Sequence, residues 1–318
     1  MKRLIVAASA AAFLAWSPSA HAKDTIPLIL KSTSNYYFSI VAAGARKAAR
    51  ELDIDMPVLG AASFADIQGQ ISILENAVSA KPAAIVITPL EYSALGAPIT
   101  EAAAVVPIIA VDSAADSSAI AAMVTTDNVE GGRQAADALA TAIAETYGKP
   151  EGNVAVILGA SGQSTFDQRL AGFKEQLAVK YPGLKLVAER IADGQTTTAV
   201  NIMTDLLTAE PDLRGVFSSD LIMGAGAGQA VVENNVQQKV RIVAFDSDEK
   251  LVQLLRDGAI AALIVQDPYR MGYEGIKAAY AASKGEKVEE PIDTGVNIIT
   301  KSNMDDPRSK ELLDPPVE

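Results

Sequence analysis

Short β-rich runs alternate with amphipathic stretches along almost the whole chain, and no other feature restricts the possible folds as much. Strand-like runs fall at Ile26–Lys31, Met56–Leu59, Ala83–Thr88, Pro107–Asp112, Asn153–Leu158, Lys185–Ile191, Gly215–Ser219, Val240–Phe245 and Ile260–Val265. Between them lie Ser39–Leu52, Asp66–Ser79, Val129–Tyr147, Thr165–Lys180, Thr198–Thr208, Leu221–Asn234, Glu249–Arg256 and Tyr269–Ala282. These carry apolar or small residues three and four apart, as at Ile40, Gly44, Ala48 and Leu52. Such alternation builds βαβ units, and hence parallel sheets with helices on both faces. So many strands in 318 residues fit two doubly wound sheets better than one. No Pro/Gly/Ser-rich linker divides the chain, so two lobes are expected to exchange chain at strand connections rather than along a tether. Asp305 to Glu318, with Pro307, Pro315 and Pro316, reads as an irregular surface extension.

Residues 1–22 read as an export signal. Lys2 and Arg3 precede an apolar run from Leu4 to Trp16, then Ser17-Pro18-Ser19-Ala20-His21-Ala22, with cleavage expected before Lys23. The apolar run is shorter than the roughly 20 residues that span a bilayer. Cleavage removes two of the 27 basic residues and none of the 39 acidic ones, taking the net charge from −12 to −14. It also removes His21 and Trp16, each the only residue of its type, and the chain has no cysteine. Histidine bases, serine–histidine triads, disulfides and ordinary zinc sites are thereby excluded from the mature protein. Catalytic, metal and cofactor sites are all expected to be absent. An acidic chain without a basic run is also a poor partner for nucleic acid. It cannot carry a lipid on an N-terminal cysteine, so a soluble, monomeric periplasmic protein is expected.

Ligands of open α/β sheets bind beyond the carboxyl ends of the strands, and polar residues recur at those ends here. Asn35, Tyr36, Tyr37 and Phe38 follow the first strand; Asp112 ends the Pro107 strand; Ser161–Arg169 follows the Asn153 strand. Asp220, Asp246 and Gln266 follow three later strands. Carboxylates accept from hydroxyls, Arg donates, and flat rings cover C–H faces, a combination suited to a polyhydroxylated ligand. Each residue also has a plainer reading. Asp220 or Asp246 can cap the next helix, and Tyr37 and Phe38 can staple a helix start. Gly224-Ala225-Gly226-Ala227-Gly228 is not G-x-G-x-x-G and reads as close helix packing. Gly159-Ala160-Ser161-Gly162 lacks the nucleophile-elbow spacing and any histidine to activate it.

Several ordered strings resemble the ribose-binding branch of the type I periplasmic solute-binding proteins that serve ABC importers. They include Lys23-Asp24-Thr25-Ile26, Asn35-x-x-Phe38, Pro107-Ile108-Ile109-Ala110-Val111-Asp112, Asp127-Asn128-Val129-Glu130-Gly131-Gly132, Arg169-x-x-Gly172-Phe173 and Phe245-Asp246, spread from Lys23 to about Lys301. The resemblance implies an N-terminal lobe of residues 23–125 with 267–295. It implies a C-terminal lobe of 126–266 with 296–318, closing by a hinge on a small carbohydrate, either a monosaccharide or a sugar alcohol, for delivery to permease and ATPase subunits. The family's sugar contacts fall on Asn35, Tyr37, Phe38, Asp112, Arg169, Asp246 and Gln266. Departures count against ribose: Ser113 stands where an Arg is expected, Gly194 where a stacking Phe is, and Asp220 where an Asn is. Lys31 and Asp167-Gln168 also resemble a quorum-signal-binding relative whose ligand is a branched furanose. An amino sugar among Asp112, Asp167, Asp220 and Asp246, a sensory co-receptor role, and an enzyme using two of the carboxylates are the alternatives.

Overall fold

The computed structural model describes residues 23–317; the export-signal reading of residues 1–22 lies outside them. The chain starts β1 (Leu28–Leu30), α1 (Tyr36–Leu52), β2 (Val58–Gly60), α2 (Ile67–Ser79), β3 (Ile85–Ile87), α3 (Gly96–Ala103), β4 (Ile108–Val111) and β5 (Ala122–Thr125). It continues α4 (Asn128–Tyr147), β6 (Gly152–Leu158), α5 (Ser164–Lys180), β7 (Leu184–Ile191), α6 (Thr196–Ala209), β8 (Leu213–Ser218), α7 (Leu221–Glu233), β9 (Arg241–Phe245), α8 (Glu249–Asp257) and β10 (Ala262–Gln266). Last come α9 (Pro268–Ser283), β11 (Ile292–Asp293), β12 (Val296–Thr300) and α10 (Pro307–Leu313).

Two six-stranded sheets result, ordered β11-β5-β4-β3-β1-β2 and β12-β10-β9-β8-β6-β7. Every pairing is parallel except β12 on β10. Strand order reverses between β1 and β3 in one sheet and between β6 and β8 in the other, and such reversals open a crevice at the carboxyl ends. The central strands β1, β3, β4 and β10 are buried on both faces because helices cover both. In the first lobe the cores lie under α1 with α9 and under α2 with α3. In the second they lie under α4 with α5 and under α6, α7 and α8. The chain passes between the sheets after Thr125, Gln266 and Asp293. Thr294 N donates to Thr125 O at 2.9 Å, tying two of these crossings together.

Glycines let paired helices touch. A Cβ on Gly44 would overlap the Tyr269 carbonyl and one on Gly272 the Val41 carbonyl, so α1 and α9 meet backbone to backbone. Gly132 and Gly172 do the same for α4 and α5. In the Gly224–Gly228 run, Cβ positions would fall 2.5 Å from the Ala244 methyl, 2.6 Å from the Ala199 methyl and 2.7 Å from Leu254 Cδ1. That run is a packing face.

The tail corrects the sequence reading. Pro307 occupies the first turn of α10, where its missing N–H costs nothing, and Pro315-Pro316 lie just past the helix end. The prolines therefore bound a helix whose Leu312 and Leu313 are buried in the second lobe's core. The short elements α3, β5, β11 and β12 are also additional to the sequence reading. Four residues or fewer leave too little periodicity for β5 and β11, and Pro98 masks the start of α3.

Candidate functional site

The two lobes present equivalent carboxylates by the same backbone device. Asp112 after β4 has φ +69° and Asp246 after β9 has φ +68°, while their N–H groups still bond across the sheet to Val124 O and Ile264 O. Left-handed backbone at a non-glycine residue is uncommon and best tolerated by Asp and Asn. Here it turns each side chain off its strand end and into a shared cavity of about 220 Å³. Neither carboxylate caps a helix; Asp248 caps α8 instead.

The surroundings of these two acids differ. Asp112 Oδ2 accepts from Lys31 Nζ at 2.8 Å and from Ser113 Oγ at 2.7 Å. Burial pushes the Asp112 carboxyl up, but Lys31, Ser113 and Arg169 together outweigh it and hold the group below its ordinary range. Asp246 Oδ1 accepts from Gln266 Nε2 at 2.7 Å. Burial pushes its pKa up to about 6, because Arg169 and the amide offset only part of the desolvation while Asp220 and Asp112 add to it. Asp220 is both a cap and a cavity residue. Its Oδ1 accepts from Ile222 N and Met223 N at the start of α7, yet burial still raises its pKa.

Arg169 forms the floor between the carboxylates. It is 2% exposed, holds its Cζ 3.6 Å from the Phe245 ring centroid, and donates from Nη1 to Ser219 O at 2.7 Å. Asn35 caps α1 through Oδ1 on Tyr37 N, which leaves its side-chain NH2 for the cavity it lines. Tyr37 packs edge-on to Phe38 and donates its hydroxyl to Met271 Sδ at 3.4 Å. Lys31 Nζ lies 5.9 Å from the Phe38 ring centroid. The rim is closed by contacts between lobes: Tyr92 N donates to Gly162 O and Ala114 N to Ser164 Oγ, both at 3.3 Å.

Of the residues singled out in the sequence, Lys31, Asn35, Tyr37, Phe38, Asp112, Arg169, Asp220, Asp246 and Gln266 line this cavity. Ser113 does not; it is buried behind Asp112 and supports it. Asp167 and Gln168 are exposed outside the cavity. The buried stripe of α5 runs through Thr165, Arg169, Gly172 and Phe173, and residues at 167 and 168 point away from it at 3.6 residues per turn. The branched-furanose reading thus loses Asp167 and Gln168, leaving Lys31 alone. Gly194 is not an empty half of a ring sandwich either, because Phe166 and Phe64 supply aromatic walls beside Phe38. Phe166 was legible three residues before Arg169 on one helix face. Phe64 and Asp193 also follow strand ends, those of β2 and β7, where the carboxyl-end rule places ligand contacts. Among the described residues, no group of carboxylates is arranged to hold a metal ion.

Known proteins match this chain in family and in fold. A family model described as a periplasmic binding protein domain matches residues 26–287. A carbohydrate transporter solute-binding protein of Agrobacterium radiobacter, solved with D-arabinose, is 56% identical with a TM-score of 0.91, covering 93% of this chain and 100% of its own. A solute-binding protein of Agrobacterium vitis bound to α-D-tagatopyranose is 31% identical, TM-score 0.86, covering 92% and 99%. The ribose import binding protein of Haemophilus influenzae is 30% identical over 303 residues, 95% of this chain and all of that one.

Proposed function

Because the chain belongs to the periplasmic binding protein domain family, we propose that it is the substrate-binding component of an ABC importer, capturing one small neutral monosaccharide or sugar alcohol. The observation that carries this is the cavity between the sheets. At about 220 Å³ it is smaller than the roughly 300–1,000 Å³ of sites for drug-sized ligands, so a single sugar ring suits it and a disaccharide does not. Asp112, Asp220 and Asp246 would accept from ligand hydroxyls and Arg169 would donate. Lys31, Asn35, Tyr37 and Gln266 complete the polar wall, and Phe38, Phe64 and Phe166 cover the C–H faces. Four charged groups at about 1.5–3 kcal/mol per bond contribute roughly 6–12 kcal/mol gross. Micromolar affinity needs about 8 kcal/mol net, leaving ring contacts and water release to offset ordering costs. The ligands of the two Agrobacterium proteins support neutral pentoses and hexoses as the first candidates.

Lobes 23–125 with 267–295 and 126–266 with 296–318 would move about the three crossings, closing on the sugar and opening at the permease. The relatives are periplasmic, and removal of residues 1–22 on export fits the same location. A closed monomer docking on a permease, or on a sensory receptor, would present the same shape.

Thermal-shift screening against pentoses, hexoses, tetritols, pentitols and hexitols tests the proposal. A rise in melting temperature with one sugar or polyol is expected; silence across the panel overturns it. One observation favours an amino sugar as second reading: Asp246 has an amide, not a cation, as its hydrogen-bond partner. A larger shift with galactosamine than with galactose would select that reading. The relatives are binding proteins rather than enzymes, and the bound sugar is expected to be recovered chemically unchanged.

A further inference from the structure

The string Asp127-Asn128-Val129-Glu130-Gly131-Gly132 lies outside the cavity, yet its parts converge on Arg169. Asp127 caps α4 through Glu130 N at 2.9 Å. Gly131 sits where a Cβ would fall 2.7 Å from the Phe245 ring, on which the guanidinium rests, and Gly132 touches the Arg169 carbonyl. Asn128, 2% exposed, uses both ends of its amide. Its Oδ1 accepts from Arg169 Nε at 2.8 Å, and its Nδ2 donates to Thr126 O at 3.1 Å. Thr126 lies in the first crossing between the lobes, and its hydroxyl donates to Gly295 O of the third at 3.2 Å.

A guanidinium carries five N–H donors in one rigid plane. Phe245 packs against the guanidinium, and the buried aliphatic stem limits how far the group can swing. The remaining swing is fixed by the hydrogen bonds at Nε and Nη1, and Asn128 accepts the first of them. We infer that Asn128 is a positioning residue, fixing the orientation of Arg169 and tying it to the crossing segment. The remaining guanidinium protons then face the ligand when the lobes are closed. This rests on Arg169 being a ligand contact, as proposed above.

The test is calorimetric titration with D-arabinose of the wild type, Asn128→Leu, Asn128→Asp, Arg169→Met and the Asn128→Leu/Arg169→Met double variant. Asn128→Leu is isosteric and removes the acceptor, and an affinity loss of about 10–100-fold is expected. Asn128→Asp keeps the acceptor for Arg169 but loses the donor to Thr126 O, and is expected to lose clearly less affinity than Asn128→Leu. In the Arg169→Met background, Asn128→Leu is expected to cost nothing further. Equal losses for Leu and Asp, or the same loss without Arg169, overturn the inference. The Arg169 Nε–H resonance of the sugar-free protein is a readout independent of the ligand: exchange-protected in wild type and Asn128→Asp, lost in Asn128→Leu. If D-arabinose fails to bind while this signal behaves so, that ligand is wrong and the positioning role stands; an unchanged signal in Asn128→Leu overturns the role.

Discussion

Asp112 and Asp246 share a backbone geometry and a cavity, but their neighbours drive them in opposite directions. Asp112 has Lys31 within 2.8 Å and stays below its ordinary pKa, whereas Asp246 has an amide and rises to about 6. Two outcomes follow at this scale. Asp112→Ala leaves the Lys31 ammonium and the ligand hydroxyls unpaired in the closed cavity, and is expected to cost about 2–4 kcal/mol of sugar affinity. Ala is also strained at φ +69° and leaves the buried Lys31 without its ion-pair partner, so the sugar-free protein is expected to melt lower as well; a destabilised variant with normal affinity would contradict the ligand-contact role. Asp246 gives the opposite of the usual acid-side effect. With its pKa raised from 3.8 to about 6, the folded state keeps a proton that the unfolded chain has lost, so its contribution to stability falls as pH rises between those values. Asp246→Asn removes that dependence. The variant is expected to gain stability relative to wild type as pH rises from about 4 to 6, by up to about 3 kcal/mol, with no further gain above. Melting curves of both proteins across that range measure it.

Among the elements, α10 best shows how a local signal can mislead. Three prolines in fourteen residues read as an irregular surface extension, yet one starts the helix and two follow its end. What anchors the tail is the burial of Leu312 and Leu313, with Ser247 Oγ donating to Leu312 O at 3.2 Å. Leu312→Ala is expected to destabilise by about 2–4 kcal/mol, read as a lower urea midpoint; an irregular surface tail would lose less than about 0.5 kcal/mol. Arg308 pairs with Asp267 at 2.6 Å where the chain re-enters the first lobe. It is half exposed, so that pair is worth at most about 1 kcal/mol. The long helices were legible because 13 to 20 residues carry several turns of apolar spacing. The four-residue β5 and two-residue β11 were not, since pairing partners alone define them.

For the whole molecule, the cavity exists because the three crossings set the carboxyl ends of two similar sheets against each other. X-ray scattering is expected to show the radius of gyration falling when the sugar is added to wild type, and little change for Arg169→Met at the same concentration. The sequence by itself determined the two-lobed α/β class, since strand and helix periods are local and survive without knowledge of partners. It also marked most of the polar wall, because residues just past strand ends must gather at the carboxyl edge of a parallel sheet. It excluded cysteine chemistry outright, and it places the one histidine, His21, in the segment expected to be removed on export. Tertiary structure alone decided that Lys31 neutralises Asp112 from 81 positions away, and that Phe64 and Phe166 wall the cavity while Asp167 and Gln168 face water. It alone decided that Asp246 holds its proton to about pH 6. Each of these depends on which distant side chains meet and how much water they exclude, and neither quantity is carried by any short stretch of chain.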